Sequence, residues 1–258
     1  FILLYTVSFF VISHCLKFKQ WLLDVFLATG MIACIIGIGH FFRYDPIGFK
    51  NGISPYEYPM FVSTIGNINT YTSYVALISA IAAVLFSIEK NKYKRIWYLF
   101  TVIISLFALI TGMSDNAYLT LMALFGLLPL YLFNSLDGFK KYMVLVSILF
   151  SEFQFIDTIS HKFSNHVLEI NGLFNVIVEY DRLPYFVIGL WGICIILYIL
   201  KACIKKENVL NRVSNIGRWI WLCIIVLVVL AGCYILYDAN IAGNTDKYGS
   251  LSGYLVIN

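Results

Sequence analysis

The chain has 258 residues, of which 60% are hydrophobic, 17% aromatic and only 12% charged, with a mean hydropathy of +0.83. A soluble domain carries about 25% charged residues, so this composition excludes a soluble protein held by one anchor. The net charge of +4 is spread over short connections without a basic helix or interleaved aromatics, which excludes a nucleic-acid partner and leaves the lipid bilayer.

In chain order, apolar runs cover Phe1–Cys15, Trp21–Phe41, Asn69–Ile88, Ile96–Thr111, Ala117–Phe133, Tyr142–Ile156, Pro184–Leu200 and Trp219–Tyr237. Hydrocarbon offers no hydrogen-bond partner, so each run must satisfy its own backbone as a helix. Crossing takes roughly 20 apolar residues, fewer where the bilayer thins. The expected fold class is all-α, a polytopic integral membrane helical bundle of about eight transmembrane helices. No Pro-rich or Ser-rich linker interrupts the runs, so residues 1–258 are expected to form a single transmembrane domain, with a large outer loop starting at 238–258. The chain begins at Phe1 inside an apolar run and stops at Asn258 in a polar segment, as expected of a fragment. Pro129 is well inside a predicted helix and should kink it. The cysteines Cys15, Cys34, Cys194, Cys203, Cys223 and Cys233 fall in or beside apolar runs, as packing residues rather than a disulfide framework.

Basic residues set the orientation. One set of connections holds Lys17, Lys19, Lys90, Lys92, Lys94, Arg95, Lys140, Lys141, Lys201, Lys205, Lys206, Arg212 and Arg218, which is 13 of the 18. The opposite set holds only Arg43, Lys50, Lys162, Arg182 and Lys247, together with nine of the 14 acids, Asp246 among them. The first set is expected in the cytoplasm and the second outside. The outward connections, 42–68, 157–183 and 238 onward, are also the longer ones, where sites tend to lie.

Three outward segments could carry chemistry. In Phe61–Tyr74, Gly66 permits an unusual turn, and Asn67 and Asn69 stand where the third span opens. There they either cap the helix or help it hold an anion. In Leu109–Tyr118, the turn Ser114-Asp115-Asn116 joins two short helices. It is either a capped hairpin or the floor of a recess below the membrane surface. In Ile156–Leu183, His161 and His166 are five apart, which does not match the i, i+4 pairing of a helical zinc site. Arg43 and Arg182 flank membrane spans. Each could serve as an interfacial anchor or grip a diphosphate bidentately. Glu152 lies within an apolar run, where acids usually face a bundle interior or cavity. Asp24, near a span end, is expected to snorkel.

Ser63-Thr-Ile-Gly-Asn-Ile-Asn-Thr-Tyr-Thr-Ser-Tyr-Val-Ala-Leu77 resembles the Gly-Asn-Pro-Asn segment of the O-antigen ligase/polymerase superfamily, with Ile68 in place of proline. Leu109–Leu119 is similar to that family's second hairpin, with Asp115 in place of arginine, and Gly253–Asn258 resembles the approach to its large outer loop. The resemblance implies a bacterial cell-envelope enzyme of the cytoplasmic membrane, active on its outer face. Such an enzyme transfers a glycan from a polyprenyl-diphosphate-linked donor to a glycan or lipid acceptor, without a metal or other cofactor. It implies substrate contacts at Arg43, Gly66, Asn67, Asn69, Ser114, Asp115 and Arg182, with the catalytic base expected beyond Asn258. The alternatives are a secondary transporter or flippase-like permease, supported by Glu152 and Pro129, and a non-catalytic membrane subunit.

Overall fold

The computed structural model describes residues 2–15, 17, 19–203, 207–244 and 247. The lysines Lys205 and Lys206, Asp246 and the Gly253–Asn258 segment lie outside the described residues. The helices are α1 (Ile2–Cys15), α2 (Gln20–Phe41), α3 (Ile68–Ile88), α4 (Lys92–Thr111), α5 (Asp115–Leu132), α6 (Leu136–Lys162), the short α7 (Leu173–Val178), α8 (Leu183–Cys203) and α9 (Glu207–Asn240). Seven of them, α2 to α6 with α8 and α9, are long and apolar enough to cross a membrane. The protein is therefore a multi-pass helical membrane protein. The described part of the first helix has 14 residues. The apolar window of α9 has the highest mean hydropathy, 2.7, and none of it is buried. Water does not tolerate an apolar surface of that size on a soluble monomer, whereas hydrocarbon does.

Several helices outrun the apolar stretches that announce them. Helix α4 starts at Lys92, α6 adds six residues at each end of the expected span, and α9 takes up most of the expected loop 201–218. Hydropathy reports the solvent around a segment, while a helix continues as long as its backbone bonds and end contacts are satisfied. At the start of α9, Asn211 accepts the Leu136 N–H at 3.2 Å, Ser214 donates to the Phe133 carbonyl at 2.9 Å, and Arg218 donates to Asn134.

The residues group into two compact units. The first comprises Phe1–Tyr118 with Phe155–Glu179, the second Leu119–Gln154 with Tyr180–Asn258. In the first, α2, α3 and α4 pack around Leu27, Tyr71, Ile78, Tyr98, Leu106 and Ile110, all fully buried. A Cβ at Gly37 would collide with the Tyr71 hydroxyl, so only glycine lets α2 and α3 approach there. Buried Ser79, Ser87 and Thr111 return their hydroxyls to the carbonyl four residues back, which pairs them within their own helix. Asp24, near the start of α2, is met by side chains of α4. It accepts the Tyr98 hydroxyl at 2.8 Å and lies 3.7 Å from the Lys94 ammonium. Beside it, Gln20 donates to Glu89 and to Tyr98, at 3.1 and 3.2 Å. Backbone donation from Asn91, the Gln20 amide and the Lys90 N–H hold Glu89 below the usual carboxylate range, together with nearby Lys94 and against slight desolvation. This end of the unit therefore gathers Lys17, Lys19 and Lys90 to Arg95, as the charge pattern requires.

In the second unit, Asp137 ties Lys140 at 3.1 Å and Lys201 at 2.5 Å, so its basic residues also share one end. Phe133, Tyr142 and Trp221 form an aromatic cluster. Pro129 lies inside α5 and has no N–H to offer the Phe125 carbonyl one turn earlier. The hydroxyl of Tyr142, from α6, donates to that carbonyl at 2.9 Å instead. Leaving such a group unpaired in a membrane interior is costly. Tyr142→Phe should thus lower unfolding stability in mixed micelles by about 1–3 kcal/mol. In a Pro129→Ala background the loss should shrink, because the alanine N–H reaches the same carbonyl. Equal losses in the two backgrounds would refute this account of the kink.

Candidate functional site

The end of the first unit opposite its basic residues is built by a helix stop. After Phe41, the Arg43 N–H bonds the His40 carbonyl at 3.1 Å and the Tyr44 N–H reaches the Gly39 carbonyl at 2.8 Å. That paired closure needs a left-handed residue, usually glycine, and here it is Arg43, with φ of 55°. The side chain of Arg43 donates from Nε to the Val167 carbonyl at 3.2 Å, and the Leu168 N–H bonds the Phe41 carbonyl at 2.9 Å. The segment after α6 is thereby held to the end of α2.

The connection that follows is pinned by Asp45. Its Oδ1 accepts the Gly48 and Phe49 N–H groups at 2.9 and 3.1 Å, and its Oδ2 accepts the Lys50 N–H at 2.7 Å. Desolvation opposes the charge of Asp45, but the Lys50, Phe49 and Gly48 donors and nearby His40 outweigh it and hold the carboxyl below the usual range. The Lys50 ammonium is buried, donates to the Tyr58 carbonyl at 3.1 Å and lies 4.2 Å from the centre of the Tyr58 ring. Burial lowers its pKa against the pull of Asp45.

A small hairpin leads into α3. Strand β1 (Phe61–Val62) pairs antiparallel with β2 (Gly66–Asn67), Phe61 opposite Asn67 and Val62 opposite Gly66. Ser63, fully buried with φ of 57°, donates its hydroxyl to the Ala33 carbonyl at 2.6 Å and its N–H to His40 Nδ1 at 3.0 Å. Gly66 has φ of 86°, the left-handed region that its sequence position suggests. Asn67 caps α3, its Oδ1 accepting the Asn69 and Thr70 N–H groups at 2.9 and 3.1 Å.

The turn between α4 and α5 closes against this cap. Ser114, 4% exposed, donates to Asn69 Oδ1 at 2.6 Å. The Nδ2 of Asn116 donates to the Asn69 carbonyl at 3.3 Å and to Ser73 Oγ at 3.2 Å. Asp115 is exposed at the first position of α5, where its charge suits the helix dipole. The result is an amide and hydroxyl corner, with Ser114 as its floor and the exposed Asn69 amide as its available donor.

At the same end, a recess of about 310 Å³ is lined by Arg43, Asp157, Ser160, His161, Glu169 and Asn175, among others. Asp157 and His161 face each other at 3.2 Å, one turn apart on α6. The carboxylates of Asp157, Glu169 and Glu179 outnumber the one guanidinium. His166 is exposed and is not among the lining residues. Among the described residues no group of three or more His, Cys, Asp or Glu is placed to hold a metal ion.

Of the sequence-derived candidates, Gly66, Asn67, Asn69 and Ser114 come together in the corner. Asp115 adjoins it, and Arg43 lines the recess. Arg182 belongs to the second unit and is exposed at the start of α8. The residues not singled out from the sequence are Ser73, four after Asn69, and Asp157, four before His161. In both cases the helical spacing is the available signal. No family model matches this chain, and no curated protein or solved structure matches it.

Asp45 gives the loop a signature in acid. Its folded pKa lies below the unfolded value near 4, so its contribution is present above that value and is lost as pH falls through the folded pKa. The thermal midpoint of Asp45→Asn in detergent should fall below that of the wild type at pH 7, and the gap should close below about pH 4. A gap that persists in acid would mean that the carboxylate charge does not hold the loop.

Proposed function

We propose that this protein is a membrane glycan transferase of O-antigen ligase or polymerase type. It would take a saccharide on a polyprenyl diphosphate and pass it to a glycan or lipid acceptor at the outer face of a bacterial cytoplasmic membrane. The observation that carries the reading is the 2.6 Å bond between Asn69 and Ser114. It joins the two segments that resemble the family, at the end away from the basic residues. The division of labour follows from charge. Asp157, Glu169 and Glu179 oppose a diphosphate but suit saccharide hydroxyls, so the recess takes the sugar. The corner at the N-terminus of α3 offers a neutral donor, the Asn69 amide, to the diphosphate, on which charge develops as the glycan leaves.

Asn69→Ala should lower glycan transfer by roughly 100-fold, the scale of one preorganised donor, and Ser114→Ala, which removes the hydroxyl that orients Asn69, should lower it less, both at unchanged protein abundance. Arg43→Gly relieves the left-handed backbone, so it should stay folded while transferring poorly. Transfer at wild-type rates in the corner variants would defeat the assignment.

Glu152 supports a second reading, a secondary transporter or flippase-like permease. It is 6% exposed inside α6, and neither carboxyl oxygen has a hydrogen-bond partner among the described residues. Buried intramembrane acids commonly mark ion or proton pathways. Under this reading Glu152→Gln abolishes proton-coupled flux in proteoliposomes, and under the transferase reading it leaves glycan transfer intact.

A further inference from the structure

His40 ties the end of α2 to the hairpin that opens α3, through a bond that tolerates only one protonation state. The residue is 3% exposed, in the last turn of α2. Its Nδ1 accepts the Ser63 N–H at 3.0 Å. That bond needs a free lone pair on Nδ1 and so places the proton of the neutral ring on Nε2. A doubly protonated ring has two donors and no acceptor. It would meet the Ser63 N–H with a second N–H, and neither could bond the other.

Charge points the same way. The charged groups acting on His40 are Asp45 and Lys50, both from the connection that follows α2. Asp45 Oδ1 lies 3.6 Å from Nε2, beyond hydrogen-bond distance, and is taken by the Gly48 and Phe49 N–H groups. Nε2 therefore has no hydrogen-bond partner among the described residues. The Lys50 ammonium is buried. The hairpin 61–67 and the α4 turns 102–111 contribute no titratable side chain. Helix α3 brings Tyr71, whose hydroxyl reaches the Cys34 carbonyl at 3.5 Å. The segment bonded to Phe41 brings His166, which is exposed, and Arg43 donates away from His40 to Val167. One carboxylate and one ammonium thus balance while His40 is neutral. A second proton on the ring adds a buried positive charge without a partner, which is costly.

Ser63 is the turn residue of the hairpin, held in left-handed backbone at φ of 57°. Its side chain stays on the Ala33 carbonyl at 2.6 Å, so the His40 bond is the one that a proton removes. The hairpin runs straight into Asn67, the cap of α3. We propose that His40 is an acid-released latch. Neutral, it holds the hairpin at Ser63; protonated, it lets the hairpin turn away and loosens the start of α3. Arg43 and Tyr44, within about one turn of it, are exposed, so a proton has a short route from water. The latch does not rest on the glycan-transfer reading.

The test is hydrogen–deuterium exchange, read by mass spectrometry on the full chain in detergent. It compares about pH 7.5 with about pH 5, either side of the ordinary histidine value near 6.5, and corrects protection for the intrinsic rate at each pH. In wild type, amides of residues 61–67 should lose protection roughly tenfold in acid, the scale of one buried hydrogen bond, while those in the middle of α3 keep theirs. His40→Asn sets an acceptor oxygen near the position of Nδ1 and does not titrate, so it should stay protected at both pH values. His40→Phe keeps a ring without an acceptor and should show the low protection at both. Equal wild-type protection at the two pH values would overturn the latch, and that comparison needs neither variant to fold. An acid loss in His40→Asn as large as in wild type would also overturn it, because the titrating group would then lie elsewhere.

Discussion

Hydrocarbon accepts no hydrogen bonds and donates none, so every polar atom within a spanning helix must find its partner in the protein. Much of the structure follows from how that demand is met. Serines and threonines in α3 and α4 turn back on their own carbonyls. Asp24 takes the Tyr98 hydroxyl and faces the Lys94 ammonium. The carbonyl stranded by Pro129 receives a hydroxyl from another helix. Where the demand is left unmet within the protein, at His40 Nε2 and at Glu152, something else is implied, because a buried polar group without a partner carries a cost that natural structures seldom accept. At Glu152 that cost is the ground for the permease reading.

The same constraint explains why the helix ends carry the chemistry. A helix cannot satisfy its first N–H groups or its last carbonyls. Asn67 meets that need for α3, and the left-handed turn at Arg43 meets it for α2. These devices converge at one end of the first unit, where α2 ends, the 42–67 connection returns to open α3, and a short turn joins α4 to α5. Asn69 supplies its side-chain oxygen to Ser114 and its carbonyl to Asn116, so the start of α3 and the start of α5 share one polar surface. The glycan-transfer proposal uses that surface together with the neighbouring recess, whose surplus of carboxylates favours a neutral, hydroxyl-rich ligand over a phosphate.

Seven of the eight expected spans, the gathering of basic residues at shared ends, the turn at Gly66 and the cap at Asn67 were all legible in the sequence. Each is a local matter of hydropathy, charge or backbone freedom. Long-range partners were not legible. The Tyr98 hydroxyl that meets Asp24 is 74 residues away along the chain. Helix α6 reads six residues short at each end because charged residues there remain helical once they reach water or another charge. The pairing of Asp157 with His161 was open to reading from its spacing of four, but the spacing of His161 and His166 drew attention instead.

By itself, the sequence determined the solvent of this protein, its helical class and which connections share an end. Those properties depend on composition and on neighbours along the chain. Only the tertiary structure decided which polar groups meet: Ser114 with Asn69, Tyr142 with Phe125, Ser63 with His40, and Arg43 with Val167. Hydrogen bonds act over about 3 Å, and the packing of distant helices, rather than the order of residues, brings groups within that range.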